Sequence, residues 1–302
     1  MFFDEMLANG TTTAVVYSSV HEQAADIAFS AARARGLRAF IGKVMMDQNS
    51  PATLQETAAG SIAASVRLFE KWDGADGGRL RYIFTPRYAA SCSLDLMKSV
   101  GRIARERGAF VQSHLSENRD EVEWVRSLFP DCASYTAVYD SAGLLGEHSV
   151  MAHCIHLSSE EIALLASRKT KVAFCPYSNR TLRSGTMPYH KLRDAGLHIA
   201  LGTDVAGGPS LSMLQQMGEA VTAAAITPTE ALYLATLGGA GVLGISDHIG
   251  NFDPGKDADF IVVQPDSHQN ADQILDHLCF HASKENIAEV YLRGRRVYFR
   301  NP

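Results

Sequence analysis

Three residues between positions 114 and 204 carry the chemistry of this sequence: His114 in SHLSEN, His153 in MAHCIHLS and Asp204 in LGTDVAGG. Each closes a short apolar run. The ends of successive strands are where a (β/α)8 enzyme assembles its active site, so two imidazoles and a carboxylate in that order point to a hydrolase that activates water on a metal ion. Glu117 falls in the loop just beyond His114. A general acid/base beside such a water needs a carboxylate that is not itself spent on the metal, and Glu117 fits that task. His153 and His156 have an odd separation and face opposite sides of a strand, so one of them enters the site. His153 directly follows SVMA at the strand end and takes that place; His156 begins the loop and reads as a surface residue. Asp204 follows HIALGT and precedes Gly207 and Gly208. It could cap the next helix, but beside the histidines it suits ligation or orientation of the nucleophilic water. Arg87 and Tyr88 follow LRYIFTP. A planar guanidinium and an aromatic ring suit a flat, carbonyl-bearing heterocycle, gripping its edge and stacking on its face. Ser178 and Asn179 in CPYSN read as shaping a turn.

The elements that must position these residues alternate along the chain. Apolar or β-branched runs at 11–17, 37–45, 80–86, 109–114, 149–153, 171–176 and 198–204 predict seven strands, each followed by a helix or long loop. That pattern predicts parallel strands joined by right-handed crossovers, one strand short of a closed barrel. Phe2 to Ala8 read as the last turns of an amphipathic helix closed by Gly10, with Met1 standing where earlier turns are expected. A helical stretch from Ser212 to about Leu243 contains a start at Thr227 (N-cap), Pro228 (N1) and Glu230 (N3). The glycines of GGAGVLG (238–244) have the wrong spacing and context for a dinucleotide loop and read as helix-packing glycines. After Pro254 come a turn, the strand FIVV, an irregular stretch, and two strand-like runs around Gly294, which together predict a small β appendage.

The 302 residues carry a net charge of −5 with no Lys/Arg cluster, which leaves no electrostatic footprint for nucleic acid or an anionic membrane and makes a small molecule the expected partner. Five scattered cysteines without a CxxC pair predict free thiols in a reducing compartment rather than a disulfide framework. The acidic start and the lack of a long apolar run predict a cytoplasmic protein, neither exported nor anchored.

TTTAVVYSSVH, GKVMMDQNSP, TPRYA, HLSENRDEVEWVRSLFP, AHCIHLS, CPYSN, LGTDVAGG, ALYLATLGGA and IGNFDPGKDADFIVV together resemble the guanine deaminases of the amidohydrolase superfamily, from about Asn9 to Val263. HLSEN and GTDVAGG alone would indicate a zinc deaminase; MMDQNSP with TPRYA points to the guanine enzymes, with triazine and cytosine deaminases as near alternatives. The resemblance implies an α/β fold: a (β/α)8 TIM-type barrel, here missing its first strand, over residues 1–250, and the C-terminal part of a small β-sandwich domain over 251–302. It implies one zinc ion held by His114 and Asp204, with iron also compatible with such ligands. Glu117 would shuttle a proton from water to the purine and contact the substrate together with His114, while His153 would stabilise the tetrahedral intermediate. Arg87 and Tyr88 would hold guanine, which would become xanthine and ammonia in purine catabolism, and the family's habit predicts a homodimer.

The sequence departs from that pattern in containing no His-x-His pair, which in the family ends the first barrel strand and supplies two further ligands. The segment 220–227 is also shorter than the family's connection. Two other readings follow: an inactive remnant that serves as a binding or assembly subunit, or a deaminase of another heterocycle.

Overall fold

The computed structural model describes residues 1–266, 270 and 273–300. Their elements in chain order begin with α1 (Phe2–Ala8), β1 (Thr13–Tyr17), α2 (Glu22–Arg35), β2 (Arg38–Gly42), β3 (Val44–Met45), α3 (Ala58–Trp72), α4 (Ala75–Gly78), β4 (Leu80–Pro86) and α5 (Leu94–Arg107). They continue with β5 (Phe110–Leu115), α6 (Arg119–Leu128), α7 (Tyr135–Ser141), β6 (Ser149–His153), α8 (Ser159–Ser167), β7 (Lys171–Phe174), α9 (Pro176–Thr181), α10 (Tyr189–Asp194) and β8 (Ile199–Leu201). The last are α11 (Met213–Ala224), α12 (Pro228–Ala235), α13 (Leu237–Val242), β9 (Phe260–Val263), α14 (Ile274–Phe280), β10 (Ile287–Leu292) and β11 (Arg295–Phe299). The class is α/β, as the alternation predicts. Two compact bodies divide the chain, one of residues 13–172 and 194–197, the other of 1–12, 173–193 and 198–302.

The first body is a parallel sheet in the order β1-β2-β4-β5-β6, with β3 also pairing β4. Sequential strands lie side by side because each crossover helix returns the chain one place along the sheet. β2 is buried along its whole length, whereas every residue of β1, which pairs only with β2 among the described strands, is half-exposed. The helices have readable ends: Ser93, Asn118, Ser134 and Ser158 cap α5, α6, α7 and α8 through their side chains.

The run at 37–45 is two strands and not the one predicted. Ile41 pairs with Tyr82 and Val44 with Thr85, so the register on β4 is the same on both sides of the break. The interruption is local: a Cβ on Gly42 would lie 1.8 Å from Thr85 Oγ1 and 2.3 Å from the Ile83 carbonyl oxygen, so only glycine allows this approach.

In the second body, Gly202 N–H donates to the Phe174 carbonyl at 2.8 Å, tying the end of β8 to β7. Both strands are shorter than the sequence predicts. β7 stops before Cys175 because Pro176 begins α9 at its first turn, so CPYSN is the start of a helix rather than a turn. The predicted helical stretch at 212–243 is three helices, broken at Ala225 in the left-handed region and at Thr236. The start at Thr227 is as predicted, its hydroxyl accepting from Glu230 N–H at 3.1 Å. Of the glycines at 238–244, Gly238 is buried at the start of α13, where a Cβ would crowd Tyr233 at 2.9 Å.

α1 ends as predicted, with Gly10 at φ 82° and its N–H on the Leu7 carbonyl. β9, β10 and β11 form an antiparallel sheet in which β10 is central, and β10 and β11 are joined through Gly294 at φ 72°. The irregular stretch expected between β9 and β10 contains a helix, α14; residues 267–269 and 271–272 of that stretch lie outside the described residues.

Candidate active site

The C-terminal ends of β4, β5 and β6 bring five of the predicted residues into one body. Arg87 and Tyr88 follow β4, His114 is the penultimate residue of β5, Glu117 lies in the loop after it, and His153 ends β6. The backbone here is bent sharply. Ser116, His153 and Cys154 have φ of 51°, 72° and 51°, in the left-handed region that side chains other than glycine and asparagine rarely adopt. Hydrogen bonds hold the bend: Cys154 N–H donates to the Leu115 carbonyl at 2.9 Å, and the N–H groups of Ile155 and His156 both donate to the Ser116 carbonyl at 3.1 Å. The two strand ends are clamped to each other, which fixes His153 relative to His114.

His114 is held through one carbonyl. Its backbone N–H reaches the Arg87 carbonyl at 3.1 Å and its ring Nδ1 reaches the same oxygen at 2.7 Å. With Nδ1 as donor, Nε2 carries the lone pair. Burial pushes His114 down to about 3, with the neighbouring His153 and the Arg87 charge acting in the same direction, so the ring is neutral in the physiological range. The His153 ring stacks on it, centroids 5.4 Å apart and planes 23° off parallel, and Tyr17 covers another side at 4.8 Å. The ligand atoms that the two imidazoles offer lie within 4.8 Å of one another. A neutral His114 imidazole with a fixed tautomer suits ligation of a borderline metal ion.

His153 is 1% exposed, and its Nε2 stands 3.7 Å from Glu117 Oε2. Glu117 is placed by a group the sequence reading did not single out. The Glu121 carboxylate accepts the N–H groups of Glu117 (3.0 Å) and Asn118 (3.3 Å) and the Tyr135 hydroxyl (2.7 Å). Tyr139 donates to the His114 carbonyl at 2.7 Å and accepts from the Ser113 hydroxyl at 2.8 Å. The Asn-x-x-Glu spacing of Asn118 and Glu121 is a legible capping box. Tyr135 and Tyr139 arrive from α7 and have no local signal.

Arg87, Tyr88, His114 and Glu117 line one cleft of about 510 Å³ with Asn118, Asp120, Glu121 and Trp124. The Arg87 guanidinium sits over the Tyr88 ring at 5.1 Å, and Trp124 meets that ring edge-on at 6.2 Å. This wall has an aromatic face next to a planar cation, and the Glu117 carboxylate and the His114 imidazole stand in the same cleft. His156, assigned to the surface, is half-buried, with its backbone on Ser116.

Asp204 belongs to the other body. It follows β8 at φ 47°, and its carbonyl accepts Gly208 N–H at 2.6 Å. A Cβ on Gly207 would lie 2.8 Å from Asp204 Oδ2, and one on Gly208 would lie 2.6 Å from the Thr203 carbonyl, so the two glycines make the room in which this carboxylate sits. Asp204 does not cap the next helix; Ser212 does, accepting from Gln215 N–H. Ser178, buried in α9, donates to the Cys175 carbonyl.

Residues 2–297 match the model of the amidohydrolase family. The chain is 40% identical to the guanine deaminase of Escherichia coli K12 over 316 aligned positions, which cover 99% of this chain and 72% of that relative. Among solved structures, E. coli guanine deaminase superposes with a TM-score of 0.94, covering 99% of this chain and 74% of that one. A guanine deaminase from C. acetobutylicum with guanine bound in its active site is 30% identical and superposes with a TM-score of 0.93, covering 98% and 74%.

Proposed function

Since the chain belongs to the amidohydrolase family, we propose that it is a hydrolase acting on the exocyclic C–N bond of guanine, converting guanine and water to xanthine and ammonia. The observation that carries this reading is the single cleft in which Arg87 and Tyr88 stand beside His114 and Glu117. Guanine is flat, with a carbonyl and ring N–H groups along its edge. Arg87 donates to that edge in its plane, and Tyr88 covers a face.

Glu117 takes one proton from the attacking water and delivers it to the ring nitrogen, and then carries the second proton, from the hydroxyl of the tetrahedral intermediate, to the departing amine. The water oxygen bonds to the carbon that bears the amine, the C–N bond breaks, and ammonia leaves with the transferred proton. His153, beside Glu117, donates a hydrogen bond to the oxygen on which negative charge builds in the tetrahedral intermediate. His114 and Asp204 are the proposed metal ligands, and the fixed tautomer of His114 leaves Nε2 for that purpose. One zinc ion bound there would lower the pKa of water and polarise the ring.

Residues 1–250 are proposed as the hydrolase domain and 251–302 as a small β domain, a division supported by the change of sequence character after Pro254 and by the antiparallel pairing of β9, β10 and β11. Five free cysteines support a reducing, cytoplasmic setting; among the described residues no helix is long and apolar enough to cross a membrane. The homodimer and the place in purine catabolism rest on the resemblance to the family.

The reading is tested by supplying the chain with zinc and measuring ammonia from guanine, adenine, cytosine and an aminotriazine. Guanine is expected to rank first, with xanthine as product; a higher kcat/KM for any of the other three would overturn the substrate assignment.

A further inference from the structure

MMDQNSP is the motif that the proposed reaction leaves without a task, and the structure gives it one. The chain from Met45 to Asn49 runs alongside the turn that follows β4. Gln48 Nε2 donates to the carbonyls of Ala90 (3.3 Å) and Cys92 (3.1 Å), and Asn49 Nδ2 donates to Ala90 at 2.8 Å. The backbone N–H groups of Asp47 and Gln48 both donate to the Ser91 carbonyl, at 3.1 and 3.3 Å. Three consecutive carbonyls are thus satisfied by one short segment, in a place where Ala90, Ser91 and Cys92 are fully buried and no water can substitute.

The same segment reaches the cleft residues. Arg87 N–H donates to the Met45 carbonyl at 3.2 Å, and Ser91 returns both its N–H and its hydroxyl to the Tyr88 carbonyl at 3.1 Å. Arg87 and Tyr88 are therefore strung between two anchors on the 45–49 segment. Asp47 closes the arrangement by accepting the N–H and the hydroxyl of Ser93, the N-cap of α5. Asn49 has φ 48°, a left-handed backbone that asparagine tolerates and that brings its amide to Ala90. At the far end of the loop, Glu56 N–H donates to the Met46 carbonyl, and its carboxylate pairs with Lys43, whose side chain is 1% exposed.

We propose that Gln48 and Asn49 are positioning residues that set the substrate-binding geometry of Arg87 and Tyr88 through the carbonyls of Ala90 and Cys92. The inference rests on the reading of the cleft as a guanine site. Both amides act as donors to carbonyls, so replacing them with carboxylates of the same shape removes the donors and sets like partial charges against each other.

The test is the affinity for guanine, measured by calorimetry in the zinc-supplied full chain carrying Glu117→Gln so that bound guanine is not consumed, for Gln48→Glu, Asn49→Asp, Arg87→Ala and the double variants with Arg87→Ala. Hydrogen exchange across 88–93 is followed in parallel. Each carboxylate variant is expected to weaken guanine binding about tenfold and to speed exchange at 88–93 while the rest of the chain is unchanged. Added to Arg87→Ala, each is expected to cost less than it does alone, because part of its effect runs through the Arg87 side chain and the rest through Tyr88. Where Asn49→Asp does not fold, Asn49→Gly keeps the left-handed backbone and deletes only the amide, with the same expectation. Parental affinity in the carboxylate variants, or losses that multiply with that of Arg87→Ala, would overturn the inference alone. A parent chain that binds no guanine would overturn the functional reading on which it rests.

Discussion

Arg87 takes part in the site through two different groups. Its guanidinium lies over Tyr88, and its carbonyl fixes both the backbone and the ring of His114. Replacing its side chain therefore removes the proposed substrate contact and leaves the His114 tautomer in place, since the carbonyl remains. For Glu117 the proposed role, proton carrier, belongs to the side chain, while its backbone N–H is held by Glu121. Glu117→Gln is expected to lower kcat about 100- to 10,000-fold with guanine affinity within a few-fold of the parent, measured by stopped-time ammonia release and calorimetry. Glu121 gives a pH signature. Burial raises its carboxyl above the ordinary 4.5, against the lowering effect of the bonds from Tyr135, Asn118 and Glu117. The folded chain thus holds this proton more tightly than the unfolded chain. The resulting stabilisation is complete below about 4.5 and is lost as pH rises through the folded value. In Glu121→Gln that dependence disappears, so the stability difference between parent and variant should move in favour of the variant as pH rises above 4.5. Urea melts across that range check it.

At the level of elements, the strands that carry the site were legible because each has a hard apolar run ending in a polar residue. LRYIFTP and SVMAH match β4 and β6 residue for residue. The helix start at Thr227 was legible because a side-chain cap marks it. What was not legible depends on contacts between distant segments. The split falls at Lys43, next to the close approach of Gly42 to Thr85 and Ile83, and the apolar pattern of 37–45 does not announce it. Tyr135 and Tyr139 reach the site from α7 by packing alone. The close approach at Gly42 carries a prediction: Gly42→Ala forces a Cβ into the Ile83 carbonyl and should cost about 1–3 kcal/mol or more, read from the denaturant midpoint. Stability equal to the parent would mean that β2 and β4 can separate there at little cost.

Across the whole chain, a modest negative charge and the five free cysteines fit a protein whose partner is a small molecule. The proposed metal ligands are His114 and Asp204. Metal binding should therefore depend on either residue. The zinc-supplied parent should retain about one zinc per chain after desalting, by elemental analysis. His114→Ala and Asp204→Ala should each retain far less, and chelation should lower the parent's melting temperature but not theirs. The motifs of the sequence already named both residues, because metal and proton chemistry draws on few residue types. The supports of the cleft residues, Glu121 behind Glu117 and Gln48 and Asn49 behind Arg87 and Tyr88, came from the fold.

The most direct measurement is ammonia release from guanine by the zinc-supplied chain, with Glu117→Gln prepared alongside it to expose any contaminating enzyme. The cleft and its family predict release of ammonia and xanthine in equal amounts by the parent and near-complete loss in the variant. No release by a folded, zinc-loaded parent, or equal release by both proteins, would contradict the account.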